Sequence, residues 1–248
     1  MIRILYIIYE IFIALPIILV ATILTALTTT VGGVLGNQDF WGYYPGMIWS
    51  RIICTVLFLP VHVKGKENIS KDSAYIIVAN HQSMFDVFMI YGYLGIKFKW
   101  LMKKELAQIP LVGTACTKAG FIYIDRSSKM KSHASMARAS EILRRGMSMA
   151  IFPEGTRTGD GQIGKFKKGA FLLAQDLQIP ILPVTINGTF QVMSRHAIVP
   201  SWYRTGITIH RPIEPKNSEG LTEAETNALT RQIASDVAEI IGSALERN

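Results

Sequence analysis

Residues 11–38, IFIALPIILVATILTALTTTVGGVLGNQ, contain no charged side chain. No other feature restricts the fold as much, because about 20 apolar residues suffice to cross the hydrocarbon core of a bilayer. A secretory signal peptide has an apolar region of roughly 7–15 residues that ends at a small-residue cleavage site. This run is longer, so it reads as a retained membrane element. A helix here is expected to kink or end at Pro16 and at the Gly32-Gly33 pair. A second apolar stretch, MIWSRIICTVLFLP at residues 47–60, is short and carries Arg51 near its start. A charge at bilayer depth costs at least about 2.5 kcal/mol, which argues against a clean second span. Arg51 is expected to snorkel, with Tyr43, Tyr44 and Trp49 at the interface. Residues 1–60 therefore read as a helical hairpin or re-entrant pair sunk into one leaflet; the alternative is one true span plus an interfacial helix.

After Pro60 the pattern changes to short apolar runs between polar turns. VHVKG (61–65), AYIIVAN (74–80), FKWLMKK (98–104), FIYIDR (121–126), MSMAIFP (147–153), PILPVTIN (180–187) and GITIHRPI (206–213) read as strands. Helices are expected at 87–94, 131–145, 165–177 and, as an amphipathic C-terminal element, 221–245. Strands alternating with helices predict an α/β fold: a mixed, largely parallel central sheet flanked by helices, formed by residues 61–248. With 248 residues, 49% of them hydrophobic, the chain can bury one sizeable core. Chemistry in such sheets sits where strands give way to loops or helices.

Net charge is +8, and it is unevenly spread. Residues 1–60 are balanced, with Arg3 and Arg51 against Glu10 and Asp39. Lys97 to Lys168 hold 15 basic and 5 acidic residues, whereas Glu214 to the end hold 3 and 7. A positive field in mid-chain suits nucleic acid, an anionic membrane surface or a phosphorylated substrate. A solvated basic face explains it equally well on composition alone.

Three polar clusters fall at predicted strand ends. NHQSMFD (80–86) sets Asp86 five positions after His81. In a continuous helix the two would diverge by about 140°. At a strand-to-helix turn the carboxylate can reach back, hold one ring N–H and leave the other nitrogen free as a base. The competing reading is an N-cap at Ser83 or Asp86 beside a surface histidine. IFPEGTRTG (151–159) carries Glu154, able to accept from a substrate hydroxyl. It also carries Gly155, which permits close backbone approach, Thr156, a hydroxyl donor, and Arg157, whose planar fork suits phosphate. The plain alternative is a polar turn with a Glu–Arg pair. GFIYIDR (120–126) puts Asp125-Arg126 at a strand exit, and Lys103-Lys104 end another strand, so cations gather at neighbouring strand ends as an anion site would require.

Other chemistries lack their residues. GDGQIGKF (159–166) has the glycine spacing and lysine of a phosphate-binding loop, but Phe166 stands where Ser or Thr must hold magnesium, and no strand directly precedes it. No G-x-S-x-G elbow supports a serine acyl-enzyme. The five histidines show no zinc-ligand spacing, and Cys54 and Cys116 read as packing residues. No helix-turn-helix or stacking-aromatic pattern supports nucleic acid as a partner.

NHQSMFD, GFIYIDR, FPEGTRT and ILPVTI, in that order across residues 80–186, resemble the glycerolipid acyltransferases of the 1-acylglycerol-3-phosphate acyltransferase family. The resemblance implies transfer of a fatty acyl group from acyl-CoA or acyl carrier protein to the 2-hydroxyl of 1-acylglycerol 3-phosphate. The thioester would be a co-substrate, with no resident cofactor and no metal. The resemblance makes His81 and Asp86 catalytic and assigns Arg126, Glu154, Gly155 and Arg157 to the phosphate and glycerol; Thr156 and Lys103 join that set by their chemistry. Thr158 stands where serine is frequent. The fourth motif, Ile181–Ile186, is expected to be structural or acyl-facing. A membrane location follows, on the cytoplasmic face of the inner or plasma membrane if the chain is bacterial, with a membrane lipid acceptor and an anionic surface as partners. Another lysophospholipid, glycerol 3-phosphate or a lyso-ornithine lipid remains open as acceptor, as does a non-catalytic lipid-binding role.

Overall fold

The chain was analysed as a computed structural model that describes residues 2–125, 127–218 and 220–245. Helix α1 (Ile2–Tyr9) passes through a π-helical turn at Glu10–Ala14 into α2 (Leu15–Leu35), followed by α3 (Gln38–Trp41) and α4 (Tyr44–Val56). Then come β1 (Val61–Lys64), β2 (Ile76–Ala79), α5 (Phe85–Tyr93), β3 (Phe98–Lys103), α6 (Val112–Lys118), β4 (Ile122–Ile124), α7 (Lys129–Arg144) and β5 (Ser148–Ile151). The chain continues through α8 (Gly169–Leu177), β6 (Ile181–Asn187), α9 (Thr189–Val192), β7 (Thr205–Ile209) and α10 (Glu223–Ser243).

The strands form one seven-stranded sheet in the order β1-β7-β6-β2-β5-β3-β4. From β6 to β4 the strands are parallel; β7 is antiparallel to β6, and β1 is parallel to β7. The sheet is thus mixed and largely parallel, as the alternation of runs predicts. Every residue of β2 and β6 is buried, as in strands covered on both faces. Successive residues of β2 feed opposite layers: Ile77 and Ala79 join Met89, Phe98 and Trp100 on the α4–α5 side, while Ile76 and Val78 join Leu143, Phe171 and Val237 under α7, α8 and α10.

Some boundaries differ from the sequence expectation. The helix expected over 165–177 begins only at Gly169, leaving Lys165–Lys168 irregular. The strand expected over 206–213 ends at Ile209; Pro212 lacks a ladder N–H, and Ile213 returns only as an isolated bridge to Ile181. α6 has no periodic signal in the sequence. α10 starts at a capping box, with the Thr222 hydroxyl on the Glu225 N–H and the Glu225 carboxylate on the Thr222 N–H.

Residues Arg3–Leu35 form a helical run of 33 residues, long and apolar enough to cross a membrane. Leu19, Val20, Ile23, Leu24, Leu27 and Val31 lie exposed along it, while Ala14, Ala26, Thr29 and Gly32 are buried. The helix does not break at Gly32-Gly33. It continues to Leu35 and turns at Gly36, whose φ is +119°. The two glycines serve close approach: a Cβ on Gly33 would lie 2.5 Å from the Lys118 carbonyl oxygen, and one on Gly32 would enter the Trp41 ring. Near the other end, Tyr6 and Tyr9 donate their hydroxyls to the carbonyls of Leu57 (2.9 Å) and Val56 (2.8 Å). Lys99, 4% exposed, fastens the turn after α2. Its ammonium donates to the carbonyls of Gln38 (2.9 Å) and Ala119 (2.8 Å) and pairs with Asp39 at 3.0 Å. Burial lowers the Lys99 pKa, and Asp39 opposes that shift. Arg51 is exposed; its Nε donates to the Gly92 carbonyl of α5 at 2.8 Å, with the guanidinium over the Tyr93 ring.

Candidate active site

The parallel strands β6, β2, β5, β3 and β4 present their carboxyl ends along one edge of the sheet, and the polar clusters of the sequence sit there. Asn80 ends β2 as a clamp. Its amide donates to the Ile186 carbonyl (2.9 Å) and accepts from the Ile186 N–H (2.7 Å), prolonging the β2–β6 ladder by a side chain. Because Asn80 fixes the exit of β2, the next residue, His81, has a fixed origin.

Asp86 lies in the first turn of α5 and reaches back, as its spacing allows. Its Oδ2 accepts from His81 Nδ1 (2.9 Å) and from the N–H groups of Gln82 (2.6 Å) and Ser83 (2.8 Å). Its Oδ1 accepts from the Thr189 hydroxyl at 2.5 Å. Asp86 is fully buried, and the N-terminus of α5 adds its dipole. The N-cap of α5 is neither Ser83 nor Asp86 but Met84, which makes no side-chain cap bond; Ser83 Oγ accepts the Phe85 N–H at 3.2 Å within the turn. A carboxylate only accepts, so Nδ1 is the donor of this pair, and in the neutral tautomer that matches it Nε2 carries the lone pair. Nε2 has no partner among the described residues. The ring lies flat on Phe152, centroids 4.1 Å apart at 8°, and Phe152 rests on Trp100. The His81 side chain keeps 17% exposure, enough to meet a substrate.

Glu154 follows β5 and is almost fully buried. Its Oε1 accepts the His81 N–H (2.8 Å) and its Oε2 the Gly164 N–H (2.9 Å), so each oxygen already holds a backbone donor. Burial raises its pKa, and these N–H groups pull it back down. Its observed part is therefore to brace two loops. Gly155 turns with φ +73° and donates its N–H to the Phe152 carbonyl. The Thr158 N–H donates to the His81 carbonyl at 2.9 Å, joining the two motifs backbone to backbone.

The remaining residues predicted for the site are more open. Thr156 is exposed, and Arg157 is half-buried with no side-chain partner among the described residues. Lys103 is exposed at the end of β3. Lys104 pairs with Asp125 at 2.8 Å, and Lys131 approaches the same carboxylate at 3.9 Å. Hydrogen bonds from Lys104 and Ser127 hold the Asp125 carboxyl well below the usual range. Arg126 lies outside the described residues. Among the described residues, no group of three or more His, Cys, Asp or Glu could hold a metal ion. Thr189 and Phe152 were not singled out by sequence reasoning. Thr189 stands 103 residues from Asp86, and only its place just after a predicted strand hints at the site.

A buried carboxylate holding a histidine whose other nitrogen is open is an arrangement able to take up a proton, and the strand ends beside it carry cations without side-chain partners among the described residues. The chain belongs to the acyltransferase family, whose family model matches residues 60–187. It is 32% identical over 181 residues to a chloroplast 1-acyl-sn-glycerol-3-phosphate acyltransferase of Arabidopsis thaliana, covering 72% of this chain and 50% of that one. It is 34% identical over 176 residues to the 1-acyl-sn-glycerol-3-phosphate acyltransferase of Borreliella burgdorferi, covering 71% and 70%. The crystal structure of the 1-acyl-sn-glycerophosphate acyltransferase PlsC from Thermotoga maritima superposes with a TM-score of 0.74 at 26% identity, covering 98% of each chain. The chain spans about half the length of the chloroplast relatives of Arabidopsis thaliana and Brassica napus.

Proposed function

We propose that this chain transfers a fatty acyl group from a thioester, carried on coenzyme A or acyl carrier protein, to the 2-hydroxyl of 1-acylglycerol 3-phosphate, giving phosphatidic acid. The observation that carries this reading is the His81–Asp86 dyad, with Nδ1 committed to the carboxylate and Nε2 open. The family membership and the names of the relatives agree with it. Nε2 takes the proton of the acceptor hydroxyl as that oxygen attacks the thioester carbonyl carbon. Asp86 stabilises the imidazolium that forms. When the tetrahedral intermediate collapses, the C–S bond breaks, and the imidazolium returns the proton to the departing sulfur. The thioester is already activated, so no acyl-enzyme is required. General-base help of this kind contributes about 10²–10⁴-fold. Arg157 and Lys103, whose side chains have no partner among the described residues, are suited to the acceptor phosphate, with Thr156 and Gly155 on the turn beside Arg157.

The apolar helix supports attachment to one leaflet. A perpendicular span needs roughly 30 Å of helix free of the globular domain. This helix is held at Tyr6 by the residues that lead into β1 and at Gly33 by those that lead into β4, the two outer strands of the sheet. Those anchors are about 40 Å apart at 1.5 Å per residue, so nearly the whole run lies along the domain. Its exposed leucines and isoleucines then face the acyl chains from one side, where a single-chain lipid acceptor resides.

The deciding experiment gives the purified protein acyl-CoA and acyl carrier protein thioesters with a panel of lyso-acceptors and follows thiol release. Turnover is expected with 1-acylglycerol 3-phosphate. Faster turnover on another lysolipid would move the acceptor assignment, and none on any acceptor would remove the enzymatic reading. For topology, a cysteine placed at Arg3 and one on α7 should be labelled by an impermeant reagent from the same side of sealed vesicles. Labelling from opposite sides would restore a true span.

A further inference from the structure

The segment Gly159–Phe166, with its phosphate-loop glycine spacing, has no part in the dyad chemistry. It forms one wall of a cleft of about 1650 Å³ whose other wall is α10. Lys165 and Lys168 line the first wall and Arg231 the second, with Asp160 and Glu239 as the acidic members. The Asp160 carboxylate is taken up by the Thr158 hydroxyl (2.6 Å) and the Gln162 N–H (3.0 Å). Arg231 is the single cation in the sequence of α10, and neither it nor Lys165 has a side-chain partner among the described residues.

The cleft adjoins the base. Gln82, next to His81, lines it and donates its amide to the Gly161 carbonyl at 2.8 Å. Glu154 ties the His81 N–H to the Gly164 N–H of the same wall. The strand order then separates two cationic regions. The cleft belongs to the β6 side of β2, at Asn187 and Gly188, whereas Lys103 and the Lys104–Asp125 group end β3 and β4 on the other side. His81, at the end of β2, stands between them.

Two phosphate-bearing substrates must reach one nitrogen in the reaction proposed above. We infer that the cleft between Asp160–Lys168 and α10 binds the phosphorylated carrier end of the acyl thioester, leaving Arg157 and Lys103 to the acceptor phosphate. This inference rests on the acyl-transfer reading. The ligand chemistry is a 4′-phosphopantetheine thioester, and its phosphates come either from coenzyme A or from an acidic carrier protein.

The test uses the full chain in detergent micelles, with Arg231→Ala and Lys165→Ala as variants and each donor in turn. KM for the donor should rise about tenfold, the loss expected for one exposed charge-assisted contact. The kcat and the acceptor KM should stay within about twofold of wild type. A rise with acyl-CoA alone, with acyl carrier protein alone or with both supports the cleft and tells the two sources apart. An unchanged donor KM with both, or a rise in the acceptor KM instead, overturns it. Free coenzyme A titrated calorimetrically onto wild type and Arg231→Ala, without acceptor, gives a second readout. About tenfold weaker binding retains the site; equal affinity removes it unless the donor KM has risen with acyl carrier protein alone, which assigns the site to that source. Since that arm needs no turnover, a wild type inactive on every acceptor would sink the acyl-transfer reading without deciding the cleft by default.

Discussion

The loop at residues 80–86 and the cationic strand ends lie along the same sheet edge, yet they are built on opposite principles. In the loop the protein itself holds the polar groups around His81, and only Nε2 stays open. Asn80 closes on Ile186, Asp86 accepts four donors, and the backbone on both sides of His81 is held by Glu154 and Thr158. At the strand ends, the Arg157 and Lys103 side chains have no partner among the described residues. The first region is held by the protein itself, whereas the second is the one that the proposed acceptor would complete. Preorganised groups act on the barrier because they need no reorganisation during reaction, and ligand-completed ones act on binding. The contrast therefore predicts a split between kcat and KM along one edge of the sheet.

The largest expected effect lies in the rigid region. His81→Ala should lower kcat by about 10²–10⁴-fold with KM little changed. Asp86→Asn should fall in the same range, because an amide nitrogen set among four donors cannot accept and releases the Nδ1 tautomer. Circular dichroism on both variants checks that the fold persists. Retention of a tenth of wild-type turnover by His81→Ala would end the assignment of this nitrogen as the base.

Glu154→Gln comes next. The amide keeps one acceptor oxygen and turns an NH2 toward the other backbone N–H, leaving a buried donor unsatisfied at roughly 1–3 kcal/mol. The melting temperature should drop and kcat should fall about tenfold, with the acceptor KM within twofold. A rise in acceptor KM at constant kcat would instead show Glu154 contacting substrate, as its motif suggested, and would blur the division between the two regions.

What the sequence disclosed about each region follows from the distance over which its contacts are made. The dyad was legible because His81 and Asp86 lie within one local turn, where chain geometry limits what they can reach. The sheet was legible because strand and helix periods alternate. Thr189 was not legible, since only the parallel placement of β6 beside β2 brings its hydroxyl to Asp86. The same holds for Glu154, whose motif context pointed to a ligand while the crossover from β5 delivered it to two backbone N–H groups. α6 was missed because LVGTACTK has no apolar period, and its packing on α2 supplies what periodicity lacks. The fate of Arg51 was also non-local, because the Gly92 carbonyl that captures it belongs to α5.

In the ligand-completed region, Arg157→Ala should raise the acceptor KM about tenfold and leave kcat within threefold, the loss of one charge-assisted phosphate contact. An unchanged KM for 1-acylglycerol 3-phosphate would remove Arg157 from the phosphate site. The smallest effect belongs to Lys104→Ala, which removes a strand-end cation that already has a close protein partner. Asp125 is depressed by Lys104, so its share of stability is present above the usual carboxylate range and is lost as pH falls through the lower folded value. Lys104 is raised by Asp125, so its share is present below the usual lysine range and is lost as pH rises through the higher folded value. The pair thus contributes across neutral pH. It is exposed, so the contribution is small and salt-screened. Lys104→Ala should lower the melting temperature slightly at neutral pH and low salt, with the difference vanishing at 1 M salt and at strongly acidic pH. The acceptor KM should stay within twofold, since this ammonium is committed to the protein. A KM effect as large as that of Arg157→Ala would mean that substrate draws Lys104 away from Asp125, and the ligand-completed region would then extend to β4.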